Sequence, residues 1–222
     1  MSTTVVISAK DEEATIGEVI RGCLPYAGEV IVMDGHSTDG TARIAAGLGA
    51  RVIADNGRGK GAAIRASIPH IGGDIAVFID ADGSHDPADI PKVVQPILDG
   101  VADHVSASRL IGGSSELHGT FNEFFRLAGS AFITTCINRR FGVRLSESQN
   151  GFRAIRTDAL RRLDLREDIT TIEQEMVMKT LKKGFRMAEV PSHEHARKVG
   201  CSHLVLSRIW LRYVYTLFKY LV

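Results

Sequence analysis

The stretch Asp74-Ile-Ala-Val-Phe-Ile-Asp-Ala-Asp-Gly-Ser-His-Asp-Pro87 runs five apolar residues into three closely spaced carboxylates, Asp80, Asp82 and Asp86. A short, continuous apolar run predicts a strand buried on both faces, the kind that builds parallel sheets. Three more runs of the same kind precede it: Thr4-Val-Val-Ile-Ser-Ala9, Glu29-Val-Ile-Val-Met33 and Ala50-Arg-Val-Ile-Ala54. Apolar residues at helical spacing predict helices over Glu12 to Leu24, Thr38 to Leu48, Lys60 to Ile68 and Pro87 to Leu98. Thr38 or Asp39, and Asp86 before Pro87, supply cap chemistry. This alternation predicts an α/β fold, Rossmann-like in its first half, with a mostly parallel central sheet flanked by helices. Ligands of such sheets gather beyond the carboxyl ends of the strands, so the loops there are where function is expected.

The opening aspartates end one such strand. Side chains two apart on an extended chain point to one side, so Asp80 and Asp82 can aim at a common point. Two ionised carboxylates so placed repel unless a cation lies between them. Hard oxygen ligands suit Mg²⁺ or Mn²⁺, which commonly share their coordination with substrate phosphates. The simpler alternative is that the pair caps the following helix. The first strand is followed by Lys10, Asp11, Glu12 and Glu13, the second by Asp34-Gly-His-Ser-Thr-Asp-Gly-Thr41, and the third by Asn56-Gly-Arg-Gly-Lys-Gly61. The third loop can bring backbone N–H groups, Arg58 and Lys60 to a phosphate, or it can be an ordinary glycine turn. Neither the P-loop order nor the Gly-x-Gly-x-x-Gly fingerprint is present, which argues against a mononucleotide hydrolase and a nicotinamide dehydrogenase.

With 222 residues, 44% of them hydrophobic, the chain has room for one generous domain, expected over 1–203, and a C-terminal appendage over 204–222. A formal net charge of +1 gives no basic field for nucleic acid, so no nucleic-acid partner is expected. Cys23, Cys136 and Cys201 lack the paired spacing of a disulfide framework or zinc site and suggest structural filler in a reducing compartment. The first strand begins too early for a secretory signal, and no window reaches the roughly 18 to 20 apolar residues of a spanning helix. Beyond Val101 the pattern predicts a strand at His104 to Ser108, a loop at Gly112 to Ser115, helices over about Thr120 to Phe141 and Glu173 to Lys183, and a strand at Arg186 to Val190. The tail carries Leu204, Leu206, Ile209, Trp210, Tyr213, Val214, Leu217, Phe218 and Leu221 interrupted by Arg208, Arg212 and Lys219. Such an amphipathic helix can lie in a lipid headgroup boundary, or pack on the core or on a second subunit. His85, His193 and His195 lack paired ligands and read as polar loop contacts rather than a metal site.

In this order the residues closely resemble family 2 glycosyltransferases of the GT-A fold, and among them the polyprenyl-phosphate (dolichyl-phosphate) mannosyl- and glucosyltransferases. The resemblance runs from about Val5 to Leu204. Asp80-Ala-Asp82 looks like the family's Asp-x-Asp metal motif, and Asp34-Gly-His-Ser-Thr-Asp-Gly-Thr41 like its Asp-Gly-Ser-Thr-Asp-Gly-Thr signature, with Asp34 at the position that contacts the nucleotide. Glu12 falls in a loop that also holds the nucleotide, Ser8-Ala-Lys10 stands where the family has Pro-x-Tyr, and Asn56 to Gly61 is similar to Asn-x-Gly-Lys-Gly. Ser108-Arg109 and Arg126-Leu-Ala-Gly-Ser130 resemble the segments that bind an acceptor phosphate. Gln149 to Arg153 looks like the Ser-Gly-Phe-Arg segment. Glu189-Val-Pro191 through Arg197 to Ser202 is similar to a loop that closes over the donor, with His203 in place of its usual Lys. Ser84 stands where some members carry a metal-ligand Gln.

The resemblance implies an inverting, Mg²⁺- or Mn²⁺-dependent transfer of mannose or glucose from a nucleotide diphosphate sugar, GDP-mannose or UDP-glucose, to a polyprenyl phosphate. It implies Asp80, Asp82 and Ser84 at the metal, with Ser8, Lys10, Glu12, Asp34, Lys60, Asp80 and Arg197 on the donor. Arg109, Arg126 and Ser130 would hold the acceptor phosphate, and Asp82, Arg109 and Glu173 are the expected catalytic residues. Glu173 matches the base of hydroxyl-acceptor relatives and becomes that base if the acceptor is an alcohol or thiol; alternatively it favours its helix dipole. A nucleotidyltransferase and a catalytically silent nucleotide-sugar sensor are the rival readings. The expected location is cytoplasmic, peripheral on the membrane face, with a second copy or a membrane subunit as further partners.

Overall fold

The computed structural model describes residues 1–115, 121–196 and 206–221, with the side chains of 121–126 and 206–209 outside that description. In chain order it holds β1 (Thr3–Ala9), α1 (Ile16–Cys23), β2 (Glu29–Asp34), α2 (Thr41–Gly47), β3 (Arg51–Ala54), α3 (Lys60–Ser67), β4 (Ile75–Asp80) and α4 (Ile90–Leu98). There follow β5 (His104–Ser108), α5 (Arg109–Gly112), α6 (Phe121–Phe141), β6 (Arg153–Arg156), α7 (Thr157–Arg162), α8 (Ile172–Lys182), β7 (Met187–Pro191) and α9 (Leu206–Leu221). The strands form one sheet in the order β3-β2-β1-β4-β6-β5-β7, in which only β6 runs against its neighbours.

Alternation along the central strands explains how the sheet is covered on both faces. Val5, Ile7, Ile75, Val77 and Ile79 join α1 and α4 in one apolar cluster, while Val6, Ala76 and Phe78 join α3, α7 and α8 in another. Each fully buried side chain of this size contributes about 1.5–3 kcal/mol, which makes the register between these strands costly to slip. A third cluster sits at one end, where Leu217 and Tyr220 of α9 meet Ile133 and Ile137 of α6 and Val177 and Met178 of α8. Tyr213 and Leu221 pack at its margin. The tail helix therefore folds back onto the domain along one of its faces. Its other face leaves Trp210, Leu211, Tyr215 and Phe218 exposed. No helix among the described residues is long and apolar enough to cross a membrane.

The first two helices, α1 and α2, start later than their apolar spacing predicts, for one shared reason. Asp11 adopts a left-handed backbone (φ 52) and its carboxylate accepts Thr38 N at 2.7 Å. Glu12 N donates to Thr41 Oγ1 at 2.8 Å, and Gly40 N donates to Glu13 Oε2 at 2.8 Å. The backbone donors that would have opened α1 and α2 are spent on knitting the two loops together. Asp86 behaves as expected, its side chain accepting Ala88 N at 2.9 Å. β6 and α7 are unexpected elements, and β6 is a four-residue antiparallel strand inserted between β4 and β5.

Candidate active site

Strand register brings the candidate donor residues together. Ser8 lies opposite Met33 on one side and Asp80 on the other, and Ala9 lies opposite Asp34. Asp34, Lys10 and Asp80 therefore share one edge of the sheet, where β1, β2 and β4 all end. Asp34 is buried; Oδ2 accepts Ser37 N at 3.2 Å, while Oδ1 is buried without a partner. A buried carboxylate oxygen left this way costs about 1–3 kcal/mol or more, a cost that an N–H donor from a ligand would remove. His36, also left-handed (φ 59), bonds Asp55 O through Nε2 at 2.9 Å and so ties the second loop to the third. Glu12 contributes through its backbone and a bond to Thr15 Oγ1 at 3.2 Å, acting as a brace of the first loop.

At the centre Lys60 spans two carboxylates, with Nζ 2.6 Å from Asp80 Oδ1 and 2.9 Å from Glu173 Oε1. Burial disfavours the ammonium, but the two carboxylates outweigh it and raise the lysine above its ordinary 10.5, so it stays charged. Behind this group lies Arg153, fully buried, with Nε donating to Asn150 O at 3.1 Å and Nη1 to Glu173 O at 3.1 Å. Burial lowers this guanidinium to about 10, against the pull of Glu173, Glu147 and Asp80. It anchors the first turn of α8 to the loop that carries Gly151. A Cβ at Gly151 would stand 2.6 Å from both Asp80 Oδ2 and Lys60 Nζ, so any larger residue there would push the pair aside.

Asp82, buried, turns its Oδ1 to Ser84 N at 3.0 Å and Ser84 Oγ at 2.6 Å. Ser84 O in turn accepts His195 N at 2.8 Å, which fastens the loop after β7 to the aspartate segment. His85 is buried with Nδ1 unpartnered; burial lowers its pKa, partly offset by Asp80, Glu194 and Asp82, and keeps the ring neutral. Among the described residues, no three His, Cys, Asp or Glu side chains gather closely enough to hold a metal ion by themselves. The donor set therefore fits a hard divalent cation that takes the rest of its oxygens from a bound ligand, as Mg²⁺ and Mn²⁺ do with phosphates. Asp80 and Asp82 would supply the carboxylates, with Ser84 Oγ beside them.

Arg109, at the start of α5, is held by two carboxylates, with Nη2 2.5 Å from Glu147 Oε1 and Nη1 2.6 Å from Glu194 Oε1. Ser114 Oγ also donates to Glu194, at 2.8 Å. Burial pushes the Glu147 carboxyl up, although Arg109 pulls it down. Ser130 is buried in α6. Arg126 lies on α6 with its side chain outside the described ones, and Arg197 and His203 lie outside the described residues.

Two contributors, Glu147 and Glu194, escaped the sequence reading, while the segment Gln149 to Arg153 was matched without a role for Gly151 or Arg153. The last had a usable signal, since an arginine between Phe152 and Ala154-Ile155 breaks an apolar run at a position the sheet must bury.

The profile of glycosyl transferase family 2 matches residues 4–165. Glycosyltransferase AglJ of Haloferax volcanii is 31% identical over 199 residues, 86% of this chain, which spans only 62% of that relative's length. The dolichyl-phosphate hexose transferase of the same organism is 28% identical over 190 residues, covering 84% of this chain and 80% of the relative. In three dimensions the chain is similar to glucosyl-3-phosphoglycerate synthase from Mycobacterium tuberculosis, crystallised with Mn²⁺, uridine diphosphate and glucosyl-3-phosphoglycerate. That match has a TM-score of 0.77 at 25% identity and covers 98% of this chain and 79% of that one. The fold is accordingly GT-A-like.

Proposed function

The chain belongs to glycosyl transferase family 2, and from that premise we propose that it moves a hexose from a nucleotide diphosphate sugar to a polyprenyl phosphate. The mannose or glucose donor binds across the ends of β1, β2 and β4. Asp34 receives an N–H of the base, Ser8, Lys10 and Glu12 shape the neighbouring loop, and the loop at 56–61 offers N–H groups to the diphosphate. A Mg²⁺ or Mn²⁺ ion shared between Asp80, Asp82 and the diphosphate would offset the charge that builds on the departing nucleotide. The Mn²⁺–uridine diphosphate complex of the mycobacterial synthase supports that choice of cofactor, and the dolichyl-phosphate hexose transferase supports a lipid phosphate as acceptor. Arg109, Arg126 and Ser130 orient the acceptor phosphate for attack opposite the leaving group, which gives inversion. Arg197 closes over the donor. The exposed face of α9 rests on a membrane surface.

The observation that carries the choice of acceptor is the state of Glu173. It is buried, and its Oε1 is already occupied by the Lys60 ammonium at 2.9 Å, so that oxygen is engaged before any acceptor hydroxyl arrives. A phosphate monoester needs no base, because its second pKa lies near ~6 and its oxygen is already anionic at neutral pH. One observation favours a second reading, a hydroxyl acceptor: Arg109 is already matched by Glu147 and Glu194, which a phosphate must displace. Transfer from labelled GDP-mannose and UDP-glucose to a short polyprenyl phosphate, with the matching polyprenol as comparison, separates the two. Wild type and Glu173→Gln should both label the phosphate, within about threefold of each other, and neither should label the alcohol. Labelled polyprenol, lost in Glu173→Gln, would establish the second reading instead.

A further inference from the structure

Residues 163–171, between α7 and α8, form a strap with two distinct sides. Its backbone lies on the glycine-rich loop and the start of α3. Ala62 N donates to Asp168 O at 3.0 Å, and Arg65 pairs with the Asp168 carboxylate. The approach is so close that a Cβ at Gly61 would stand 2.5 Å from Glu167 O and 2.6 Å from Ile169 O. The side chains of Glu167 and Thr170 hold the tail helix. Glu167 Oε1 accepts Lys219 Nζ at 2.8 Å and Tyr220 OH at 3.1 Å, and Oε2 accepts Thr216 Oγ1 at 3.4 Å and Thr171 Oγ1 at 2.9 Å. Tyr213 OH donates to Thr170 Oγ1 at 2.8 Å. The N–H of Glu167 donates to Glu175 Oε2 at 2.8 Å, which joins the strap to the helix turn that presents Glu173 to Lys60.

We propose that Glu167 is a positioning residue: it fixes the glycine-rich loop to the seating of α9, so that displacing the tail helix loosens the grip on a nucleotide diphosphate. One half-buried carboxylate gathers three residues of α9, and its own peptide unit abuts Gly61, one residue from Lys60. Burial raises the Glu167 carboxyl, but Lys219 and Thr171 bring it below its usual value, so the clasp is an ion pair at neutral pH. Steric contact carries the other half of the link. With carbonyls within contact of where a Cβ at Gly61 would lie, a strap that drifts must carry the loop with it or leave a gap. A tail that touches lipid on one face and the domain on the other then reports that contact to the donor site. The inference rests on reading the loop at 56–61 as the diphosphate cradle.

Lys219→Met removes the cation and keeps a helix-forming stem, while Lys219→Arg restores the charge. Hydrogen exchange, read without ligand, should run several-fold faster at residues 59–64 in Lys219→Met and stay at the wild-type rate in β5. Titration of Mn²⁺ with UDP and with GDP should give a Kd about 3- to 10-fold weaker in Lys219→Met and near wild type in Lys219→Arg. Thr216→Val, which removes one long contact, should move both readouts the same way by less. Unchanged exchange at 59–64, or equal acceleration in β5 from general loss of stability, would overturn the proposal. If exchange responds as expected but wild type binds neither nucleotide, the diphosphate reading falls while the link between α9 and the loop stands.

Discussion

Replacing Gly151 by alanine tests the central cluster more sharply than removing any charged group. The new methyl would begin 2.6 Å from Asp80 Oδ2 and from Lys60 Nζ, where ordinary contact starts at 3.4 Å, so the pair must give way by about 0.8 Å. Both atoms end flexible side chains and the glycine has no left-handed φ, so the fold can absorb the change for roughly 1 kcal/mol or less. The chemistry cannot, because the same 0.8 Å moves the carboxylate that would share the cation. A misplacement of about 1 Å costs on the order of 10²-fold in rate. Gly61→Ala is the contrasting case: its methyl meets the backbone carbonyls of Glu167 and Ile169, which have nowhere to go. That variant should lose about 1–3 kcal/mol of stability, or roughly 3–10 °C in Tm. The assay is steady-state hexose transfer beside thermal unfolding. Gly151→Ala should keep its Tm within a few degrees and lose about 10²-fold in kcat/KM. Wild-type turnover, or activity that falls only in step with Tm, would refute the reasoning.

His104 is wholly buried, with Nδ1 bonded to Thr180 Oγ1 at 2.9 Å, and burial holds its pKa well below 6.5. Because the unfolded chain takes up a proton that the folded chain refuses, the stability this residue permits is complete above pH 6.5 and is lost as pH falls below it. Urea midpoints measured from pH 7.5 down to 5 should decline less steeply in His104→Gln; parallel profiles would count against this assignment. At the tail, Trp210→Ser with Phe218→Ser strips aromatic surface from the exposed face of α9 and leaves the packed face alone. The variant should bind anionic vesicles at least about tenfold more weakly in flotation than wild type, and equal flotation would dismiss the membrane contact.

The parallel half of the fold was legible because burial on both faces forces an unbroken apolar run, and β1, β2 and β4 each carry one. The ends of those runs named Asp34, Asp80 and Asp82, since polar residues there can only face outward from the sheet. What local pattern could not supply was partnership across the chain. Asp11 and Thr38 are 27 residues apart, and their bond shortens two helices that periodicity extends. β6 holds four residues, too few for a period, and one of them is an arginine whose partners are carbonyls at Asn150 and Glu173. The carboxylates that clamp Arg109 come from two remote loops, so the matching of that charge is a property of the tertiary structure alone. The tail read correctly as amphipathic, but its apolar residues divide between packed and exposed ones, a division set by where α6 and α8 stand.

Lys60 gives the acidic cluster an internal counter-ion. Asp80 and Glu173 already share a covalently attached cation that offsets one of their two charges, so the chain need not await an exogenous one to complete its fold. Many metal-dependent domains are unfolded until loaded. Here the polypeptide can mature and persist ion-free, and loading becomes an exchange of partners at a finished surface. Chelators should then silence such a protein reversibly and leave its architecture standing.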